Sequence, residues 1–560
     1  MRILFLTHAF NSLTQRLHVE LTRLGHEISI EFDINDSVTT EAVDLFRPHL
    51  ILAPYLRRAI PEAIWKNHLC LVLHPGIVGD RGPSALDWAI LKGEGEWGVT
   101  LLQAEAEMDA GPVWASETFP LGAAKKSSVY RNEVTEAAVR VVKTALDRLP
   151  EYRAGKWRPQ AVPLRPMHAL MQQADRAIDW TQDTTQTVLA KLNAADGFPG
   201  VKDELFGHPC HLFNAHAFPA RGTPGEVLGR SDEGVVRATV DGAIRIGHVK
   251  RGDSLLPIKL PAAQALPEVA SLTELTGRDG DIRYEEADGV GYLHFDFYNG
   301  AMGTAACQRL LAAYEAARLR PTRVIVLMGG PDFFSNGLDL NRIEAAESPP
   351  DESWRNINAM DDLCRAVIET TTHHTVAALQ GNAGAGGTFL ALAADCVWAR
   401  EGVILNPHYK NMGNLYGSEY WTYLLPRQVG EEAAREIMAR RLPQGTQEAM
   451  DAGFIETCFG EDVASFQSEV RHRAAALADA PELTGYLEEK RARRMADEAT
   501  KPLSQYRAEE LAHMKRNFFG FDPSYHVARH HFVDKTPHSW TPRHLAKHRE
   551  LGWVVPEEDA

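Results

Sequence analysis

A histidine and an aspartate stand near the ends of two short apolar segments in the N-terminal part of the chain. His74 directly follows the apolar run 69–73 and precedes a Pro-Gly turn. Asp109 comes after the apolar segment 99–102 and begins an Asp-Ala-Gly sequence. An Arg-Gly-Pro loop, residues 81–83, lies between them. Side chains of these two types, held at strand ends by turns, can accept and hold a proton. The pattern therefore predicts a proton-transfer pair of His74 and Asp109.

Residues that could move a second proton follow two glycine-rich segments further along the chain. The segments read FFSNGLDLNRIE, residues 333–344, and ALQGNAGAGGTFLALAADCVWA, residues 378–399. Tyr409 and Glu419 come soon after, within residues 406–421. A phenol and a carboxylate held close together can pass a proton between them. The glycines could equally serve close helix packing and the polar residues a surface loop, so the residue types alone leave both interpretations open.

The secondary-structure elements around His74 must place it at the end of a strand in a sheet. Apolar segments alternate with an amphipathic one, which predicts strands at Arg2–Thr7, 28–32, 50–53 and 69–73 and a helix at 13–24. Such alternation is typical of a parallel α/β sheet. No GxGxxG motif accompanies these segments, so a dinucleotide site of the Rossmann type is not supported.

From about residue 158 the pattern changes to short segments interrupted by glycine and proline. Strands are predicted over residues 210–213, 225–228, 235–238 and 244–246. Short strands at close spacing favour a small β-barrel.

A third block begins after a predicted linker over residues 260–278. It opens with a predicted strand, helix and apolar strand over residues 292–297, 303–317 and 323–328. We therefore predict an α/β multidomain protein with domains at residues 1–157, 158–262 and 275–560.

The residues around His74 and Asp109 closely resemble the formyl-tetrahydrofolate-dependent formyltransferases, whose site is Asn-x-His with a distant Asp. The resemblance implies that the pair assists transfer of a formyl group from the folate nitrogen, and that the small barrel follows the catalytic domain. Val72 stands at the Asn position and lacks a side-chain donor that is worth roughly 3 kcal/mol in comparable sites. A thiol acceptor would tolerate that loss, because a thiolate is a far better nucleophile than an amine.

The glycine-rich segments, with the stretch 429–454, resemble the crotonase (enoyl-CoA hydratase/isomerase) superfamily, which implies an α/β spiral fold. In that family two backbone N–H groups form an oxyanion hole for a thioester carbonyl, and the matching positions are Asn336 and Gly386. A hydratase acid/base position is occupied by Phe389, which cannot transfer protons. We therefore expect no hydration, and Tyr409 and Glu419 become candidates for a different proton transfer.

The combination of the two halves resembles the HypX/HoxX family of NiFe-hydrogenase maturation factors. The resemblance implies formyl transfer from formyl-tetrahydrofolate to coenzyme A, followed by decarbonylation of formyl-CoA to CO and coenzyme A. Two other interpretations stay open. The chain could fuse a metabolite formyltransferase to an unrelated acyl-CoA enzyme, or it could be a non-catalytic assembly partner that binds hydrogenase proteins, with hydrogenase maturation proteins as further possible partners.

Basic residues near the C-terminus could contact the phosphates of coenzyme A. Arg529 and Arg543 lie in this His-rich tail, residues 525–549, and together with Arg131 and Gln15 they are the predicted cofactor-binding residues. Two His pairs at i,i+4 spacing in the tail could chelate a metal on a helix, but no carboxylate or cysteine completes the set. We therefore predict no metal site.

Composition limits the remaining possibilities. A formal net charge of −16 argues against a nucleic-acid partner, which requires a basic face. No run of about twenty apolar residues is present, so no membrane span is expected. The first apolar run, residues 3–6, is too short for a signal peptide, and the six scattered cysteines form no CxxC pair. We expect a cytoplasmic protein with reduced thiols.

Overall fold

The computed structural model describes residues 1–277 and 280–551, and its contacts divide the chain into two compact units. The first unit contains Met1–Gly277 together with the segment from Pro537 onward, and the second unit is Arg278–Thr536. The sequence-based division placed all of residues 275–560 in one domain. The described residues after Thr536 instead pack with the N-terminal unit.

The first sheet of the first unit carries His74 at the end of β4 (Cys70–His74), one of its two central strands. Its strand order is β2-β1-β3-β4-β5-β6. The strands are β1 Arg2–Thr7, β2 Glu27–Phe32, β3 Leu50–Tyr55, β4 Cys70–His74, β5 Glu96–Gln103 and β6 Val113–Pro120. The first four pair in parallel as predicted, whereas β5 and β6 are antiparallel. The short β5–β6 connection allows only an antiparallel pair.

Helices cover this sheet and lead into the next domain. They are α1 Ser12–Arg23, α2 Asp36–Phe46, α3 Glu62–Trp65, α4 Ala85–Lys92, α5 Lys126–Val129 and α6 Thr135–Arg153, with a π-helical turn at Tyr130–Val134. Since ligands of open α/β sheets bind outside the carboxyl ends of the strands, the end of β4 is a favourable place for a catalytic side chain.

The second sheet of the first unit contains the short strands predicted for the barrel. They are β7 Val201–Leu205, β8 His208–Phe218, β9 Val227–Ser231, β10 Gly234–Ala238, β11 Ala243–Arg251 and β12 Lys259–Pro261, flanked by α7 Thr185–Ala195 and α8 Ala262–Ala265. Pairing follows the open path β7-β8-β11-β10-β9, with β12 on β11. Within the described residues no further strand pairing closes this path into a barrel.

The second unit contains two sheets that the chain visits alternately. One has the order β13-β14-β15-β17-β19-β22 and the other β16-β18-β20-β21. The strands are β13 Ile282–Ala287, β14 Val290–Phe295, β15 Val324–Met328, β16 Phe333–Ser335, β17 His374–Leu379, β18 Asn382–Gly384, β19 Cys396–Ala399, β20 Ile404–Asn406, β21 Gln444–Gly445 and β22 Thr457–Cys458. Three successive turns each add one strand to each sheet, which is the spiral that the crotonase resemblance implied.

Helices enclose the spiral and bring distant parts of the chain to one side of it. They are α9 Thr304–Arg318, α10 Leu340–Glu344, α11 Pro349–Ile368, α12 Gly386–Leu392, α13 Trp421–Val429, α14 Glu431–Arg440, α15 Thr446–Asp451, α16 Val463–Asp479, α17 Leu483–Thr500, α18 Leu503–Phe519 and α19 Ser524–Asp534. A core of apolar residues from the strands and from α9, α11, α12 and α13 holds these elements together. Across the described ranges, no helix combines the length and apolarity that a membrane span requires. All six cysteines are free thiols.

The C-terminal segment of the first unit covers the outer edge of strand β2. Glu31 and His548 are fully buried, and their side chains are hydrogen-bonded at 2.8 Å. His548 also contacts the hydroxyl of Ser29 at 2.7 Å, and Arg549 binds Glu31 at 2.7 Å. Covering an edge strand satisfies its polar groups and prevents pairing with another chain. The tail residues therefore stabilise the N-terminal sheet.

The substitution His548→Ala should lower the free energy of unfolding by about 2–4 kcal/mol, because it leaves a buried carboxylate and a buried hydroxyl without this partner. Urea unfolding monitored by fluorescence measures the change. Glu550→Ala, an exposed position in the short helix His548–Leu551 that also contains His548, should change the free energy by less than about 0.5 kcal/mol. Equal losses in the two variants would contradict a specific role for His548.

Candidate active sites

The structure brings His74 and Asp109 together at the carboxyl end of β4. The His74 side chain is 6% exposed, and its Nδ1 lies 3.7 Å from Asp109 Oδ1. Asp109 has a left-handed backbone, φ +55°, and its Oδ2 accepts a hydrogen bond from the backbone N–H of Gly82 at 3.1 Å. The Arg-Gly-Pro loop thus orients the aspartate towards His74, and the role of the pair in proton transfer remains a prediction.

Sequence analysis missed two residues near His74: Asp80, which contacts it, and His168, which contacts Asp80. Asp80 Oδ2 lies 2.8 Å from His74 Nε2, and Asp80 Oδ1 lies 3.0 Å from His168 Nε2. Asp80 is almost fully buried, whereas the His168 side chain is 23% exposed. His74 therefore stands between two carboxyl groups, with Asp80 hydrogen-bonded to Nε2 and Asp109 facing Nδ1 at 3.7 Å.

Val72 occupies the position where the formyltransferase resemblance expects an asparagine. It lies in β4, two residues before His74, and pairs with Ala53 of β3 and Leu102 of β5. Its side chain packs against the apolar cluster under the sheet. The side chain at this position supplies no hydrogen bond, so any polar help for a reacting carbonyl comes from other groups.

The predicted cofactor residues Gln15 and Arg131 lie on two elements that contact each other. Gln15 is in α1, and its side-chain amide donates to the carbonyl of Phe10 at 2.9 Å. Arg131 is in the π-helical turn. The amide of Asn11, which caps α1, lies 3.3 Å from the hydroxyl of Tyr130 in that turn. Isolated π-helical turns are frequent at functional sites. Binding of a cofactor by Gln15 and Arg131 remains a prediction.

Tyr409 and Glu419 form a direct hydrogen bond inside the second unit. The Tyr409 hydroxyl lies 2.6 Å from Glu419 Oε2, and both residues are buried, with 6% and 1% exposure. The same carboxylate oxygen accepts the backbone N–H of Ser418 at 3.1 Å. The surface-loop interpretation of these residues is therefore wrong, because the loop folds inward and its polar groups pair with one another.

Asp361 and Glu510, on helices α11 and α18, hold the backbone around Glu419. The Glu419 N–H donates to Asp361 at 2.8 Å, and the Tyr420 N–H donates to Glu510 at 3.0 Å. Both Glu419 and Tyr420 have left-handed backbones, φ +59° and +60°. Residues other than glycine adopt this backbone conformation only at an energetic cost. The conformation therefore persists only where surrounding contacts impose it. Here the two carboxyl groups impose it.

The hydroxyl of Ser418 lies between the carboxyl groups of Asp361 and Glu510. Its distance is 3.0 Å to Asp361 Oδ2 and 3.2 Å to Glu510 Oε2. One hydroxyl carries one proton and can donate to only one of them. For both hydrogen bonds to form, one of the carboxyl groups must itself hold a proton.

The electrostatics agree with a protonated cluster. Burial, reinforced by the charge of Asp361, raises the pKa of Glu419 to about 8. Burial and Asp361 likewise raise the pKa of Glu510 to about 8. Burial raises the pKa of Asp361 to about 7, although Arg507 opposes the shift. Burial and the neighbouring Glu419 raise the pKa of the Tyr409 hydroxyl well above its ordinary range. Carboxyl groups that titrate near neutrality can both give and take protons.

The predicted oxyanion donors are only partly in place. The Asn336 N–H donates to the carbonyl of Gly300 at 2.7 Å, so it is not free to bind a substrate carbonyl, and this assignment is wrong. Within the described residues, the N–H groups of Leu338 and Gly386 have no hydrogen-bond acceptor. A Cβ placed on Gly337 would lie 3.2 Å from Gly386 N, so this loop runs beside Gly386. The sequence could not reveal in which direction each N–H points.

Glu419 lies directly beside Gly386. A Cβ on Gly386 would come within 2.1 Å of Glu419 Oε1. Phe389, one turn further along α12, is fully buried and stacks on the Tyr409 ring with centroids 5.5 Å apart. The phenylalanine thus packs against the phenol and offers no group that could transfer a proton, and the carboxylate lies beside the Cα of Gly386.

The two predicted arginines of the tail have different surroundings. Arg529, in α19, is 4% exposed, and its guanidinium binds Glu344 at 2.6 Å and His526 at 2.8 Å. This is the arrangement of a buried structural ion pair, so a role in phosphate binding would require that pair to open. Arg543 belongs to the first unit and is exposed.

Comparisons with known proteins match three successive parts of the chain. Family models for "Formyl transferase", "Formyl transferase, C-terminal domain" and "Enoyl-CoA hydratase/isomerase" match residues 26–146, 170–259 and 286–543. A hydrogenase maturation factor HoxX from Bradyrhizobium diazoefficiens is 54% identical over 98% of this chain and 97% of its own length. A crystal structure of HypX from Aquifex aeolicus in complex with tetrahydrofolic acid has a TM-score of 0.95 and 48% identity, covering 99% of this chain and 100% of that one. A methionyl-tRNA formyltransferase from Ralstonia nicotianae is 29% identical over 34% of this chain and 59% of its own length.

The protein should not hydrate crotonyl-CoA, because Phe389 offers no group that can activate water and its ring is packed against Tyr409. Absorbance at the enoyl thioester band, with an ordinary hydratase as the positive control, measures the reaction. Turnover at the rate of the control enzyme would contradict the placement of Phe389 at the acid/base position.

Proposed function

Because the chain belongs to the HoxX/HypX family of hydrogenase maturation factors, we propose that it makes carbon monoxide for hydrogenase in two steps. In the first step, a formyl group passes from formyl-tetrahydrofolate to the thiol of coenzyme A. In the second, formyl-CoA breaks down to CO and coenzyme A. The observation that carries the proposal is the buried Tyr409–Glu419 hydrogen bond beside Gly386, in a crotonase fold whose hydratase position is Phe389.

The formyl transfer is assigned to His74 and Asp109. His74 takes the thiol proton, the thiolate sulfur bonds to the formyl carbon, and the carbon–nitrogen bond of the folate breaks. The folate nitrogen then takes the proton from His74, so atoms and charges balance. Asp109, 3.7 Å from Nδ1, stabilises the imidazolium that forms in between. The tetrahydrofolate in the crystal structure of the Aquifex relative supports folate as the formyl donor.

A thiol acceptor suits the residue at position 72. Val72 cannot stabilise an oxyanion, and removing one such donor typically costs 10²–10³-fold in rate in related acyl-transfer sites. A thiolate attacks more readily than an amine does, which offsets part of that loss.

The decarbonylation is assigned to Tyr409 and Glu419. The backbone N–H groups of Leu338 and Gly386 polarise the formyl carbonyl. Glu419, as a carboxylate, accepts the proton from the formyl carbon while the carbon–sulfur bond breaks. Tyr409 gives its proton to the departing thiolate and regains one from Glu419, so the products are CO and coenzyme A with no net change in protons.

Binding of the coenzyme A phosphates is assigned to Arg131 and Arg543, with Gln15 as a polar contact to a cofactor. An exposed guanidinium can form paired hydrogen bonds to phosphate. Arg543 has this exposure. Arg529 could contribute only if its ion pair with Glu344 opened.

Substitutions in the two sites should separate the two activities. His74→Ala and Asp109→Asn should abolish formyl transfer from folate and leave the breakdown of supplied formyl-CoA unchanged, because the residues lie in different units. Release of tetrahydrofolate measures the first activity, and CO bound to haemoglobin measures the second. Loss of both activities in either variant would contradict the assignment of one reaction to each site.

Tyr409→Phe and Glu419→Gln should each lower CO formation from formyl-CoA by about 10²-fold or more, the usual scale for a lost general acid or base. Since Glu419 acts as a carboxylate and its pKa is raised to about 8, the wild-type rate should rise as the pH increases through about 8. Below that pH the carboxyl is protonated and cannot accept the formyl proton.

The pH profile of single-turnover CO release tests this assignment. His531→Gln, an exposed position on α19, serves as a control that should keep the wild-type profile. Wild-type rates in both site variants would refute the assigned roles.

A further inference from the structure

His74 belongs to a hydrogen-bonded series that extends beyond the two residues assigned above. Its Nε2 lies 2.8 Å from Asp80 Oδ2, and the other oxygen of Asp80 lies 3.0 Å from His168 Nε2. Both distances lie within hydrogen-bond range. By contrast, the Nδ1 to Asp109 distance of 3.7 Å exceeds a hydrogen bond.

The backbone is arranged so that Asp80 can reach His74. A Cβ on Gly76 would lie 2.5 Å from both His74 Nε2 and Asp80 Oδ2, so only glycine leaves room for this contact. The N–H of Asp80 donates to the carbonyl of Ile77 at 2.9 Å, which closes the turn that carries the aspartate.

His168 is held against Asp80 by a second segment of the chain. The His168 N–H donates to the carbonyl of Arg81 at 2.8 Å, and the imidazole stacks on Trp88 with an interplanar angle of 24°. The indole N–H of Trp88 in turn donates to the carbonyl of Ala169 at 2.9 Å. The extended segment after the catalytic domain thus brings a histidine to a buried carboxylate 88 residues earlier in the sequence.

The contact with Asp80 determines which ring nitrogen of His74 is free to accept a proton. An ionised carboxylate can only accept hydrogen bonds, so Nε2 of the neutral imidazole must carry the proton. Nδ1 is then the basic nitrogen, and it is the nitrogen that faces Asp109 with a gap of 3.7 Å. His168, by donating to Oδ1, satisfies the second oxygen of Asp80, which would otherwise be buried without a partner.

We propose that Asp80 is a positioning residue for formyl transfer, that it fixes His74 in the tautomer with a free Nδ1, and that His168 orients Asp80. This inference rests on the proposed role of His74 as the base for the acceptor thiol. Asp109 then contacts the imidazolium only after Nδ1 has taken the proton. The two carboxylates thus have different roles, because Asp80 fixes the tautomer and Asp109 stabilises the imidazolium.

The substitution Asp80→Asn tests the inference because it keeps the shape and removes the charge. His168 donates to the amide oxygen, so the Asn amide NH₂ faces His74 Nε2 and moves the ring proton to Nδ1. We expect kcat for formyl transfer to fall by about 10³-fold or more, with the KM for formyl-tetrahydrofolate nearly unchanged. His168→Gln should lower kcat by about 10-fold, since Asp80 keeps its bond to His74.

A measurement of the tautomer makes the test independent of any substrate. In protein labelled with ¹⁵N-histidine, long-range ¹H–¹⁵N correlation spectra, with His74 assigned by its loss in His74→Gln, should show Nε2–H in the wild type. The spectra of Asp80→Asn should show Nδ1–H. Asp253→Asn is the matched control, because it removes a carboxylate 3.0 Å from the surface residue His208. It should leave both kinetics and the His74 signals unchanged.

The outcomes separate this inference from the proposed function. A wild type that does not formylate coenzyme A would refute the proposed acceptor, while the His74 tautomer would still decide the role of Asp80. Formyl transfer that is unaffected in Asp80→Asn, or a wild-type His74 protonated on Nδ1, would overturn the inference. Unchanged thermal unfolding of Asp80→Asn by circular dichroism, together with the loss of kcat, would support it.

Discussion

Three buried carboxyl groups around one seryl hydroxyl control the geometry of the second unit's site. Asp361, Glu419 and Glu510 are 0%, 1% and 0% exposed, and two of them contact the hydroxyl of Ser418. Burying several ionised carboxylates together is very unfavourable, so the cluster must share protons. The shared protons permit both hydrogen bonds of the Ser418 hydroxyl. The same carboxyl groups accept the N–H groups of Glu419 and Tyr420 and so hold the left-handed backbone at Glu419. The position of the carboxylate next to Gly386 depends on that backbone.

In the proposed reactions the two sites handle protons in the same physical way. In each, the group proposed to exchange a proton with substrate is buried beside carboxyl groups. His74 has Asp80 on one ring nitrogen and Asp109 facing the other. Glu419 has Tyr409 on one oxygen, and burial together with the charge of Asp361 raises its pKa. The proposed reactions first remove a proton from the coenzyme A thiol and later return one to the thiolate. Each site must therefore control which group holds the proton.

Many strands and helices, and the side chains that meet in each candidate site, could be predicted from the sequence because both follow from local patterns. Apolar periodicity placed the strands that carry His74, and the short motifs around Asp109, Tyr409 and Glu419 identified side chains that the structure brings together. Asp80, Asp361 and Glu510 were missed, because their partners come from other elements and only tertiary packing joins them. Asn336 was assigned a role that depends on the direction of a peptide N–H, which residue types do not encode. Arg529 was expected to be available to a ligand, but its helix buries it against Glu344.

The central claim is that one carbon atom passes from folate to sulfur and leaves as CO. The most direct test is a single-turnover reaction with ¹³C-formyl-tetrahydrofolate and coenzyme A, quenched over time and analysed by mass spectrometry, with released CO captured by haemoglobin. The account predicts that labelled formyl-CoA rises and then falls as an equal amount of ¹³CO appears. Release of the label as formate, with neither labelled formyl-CoA nor ¹³CO at any time, would contradict it.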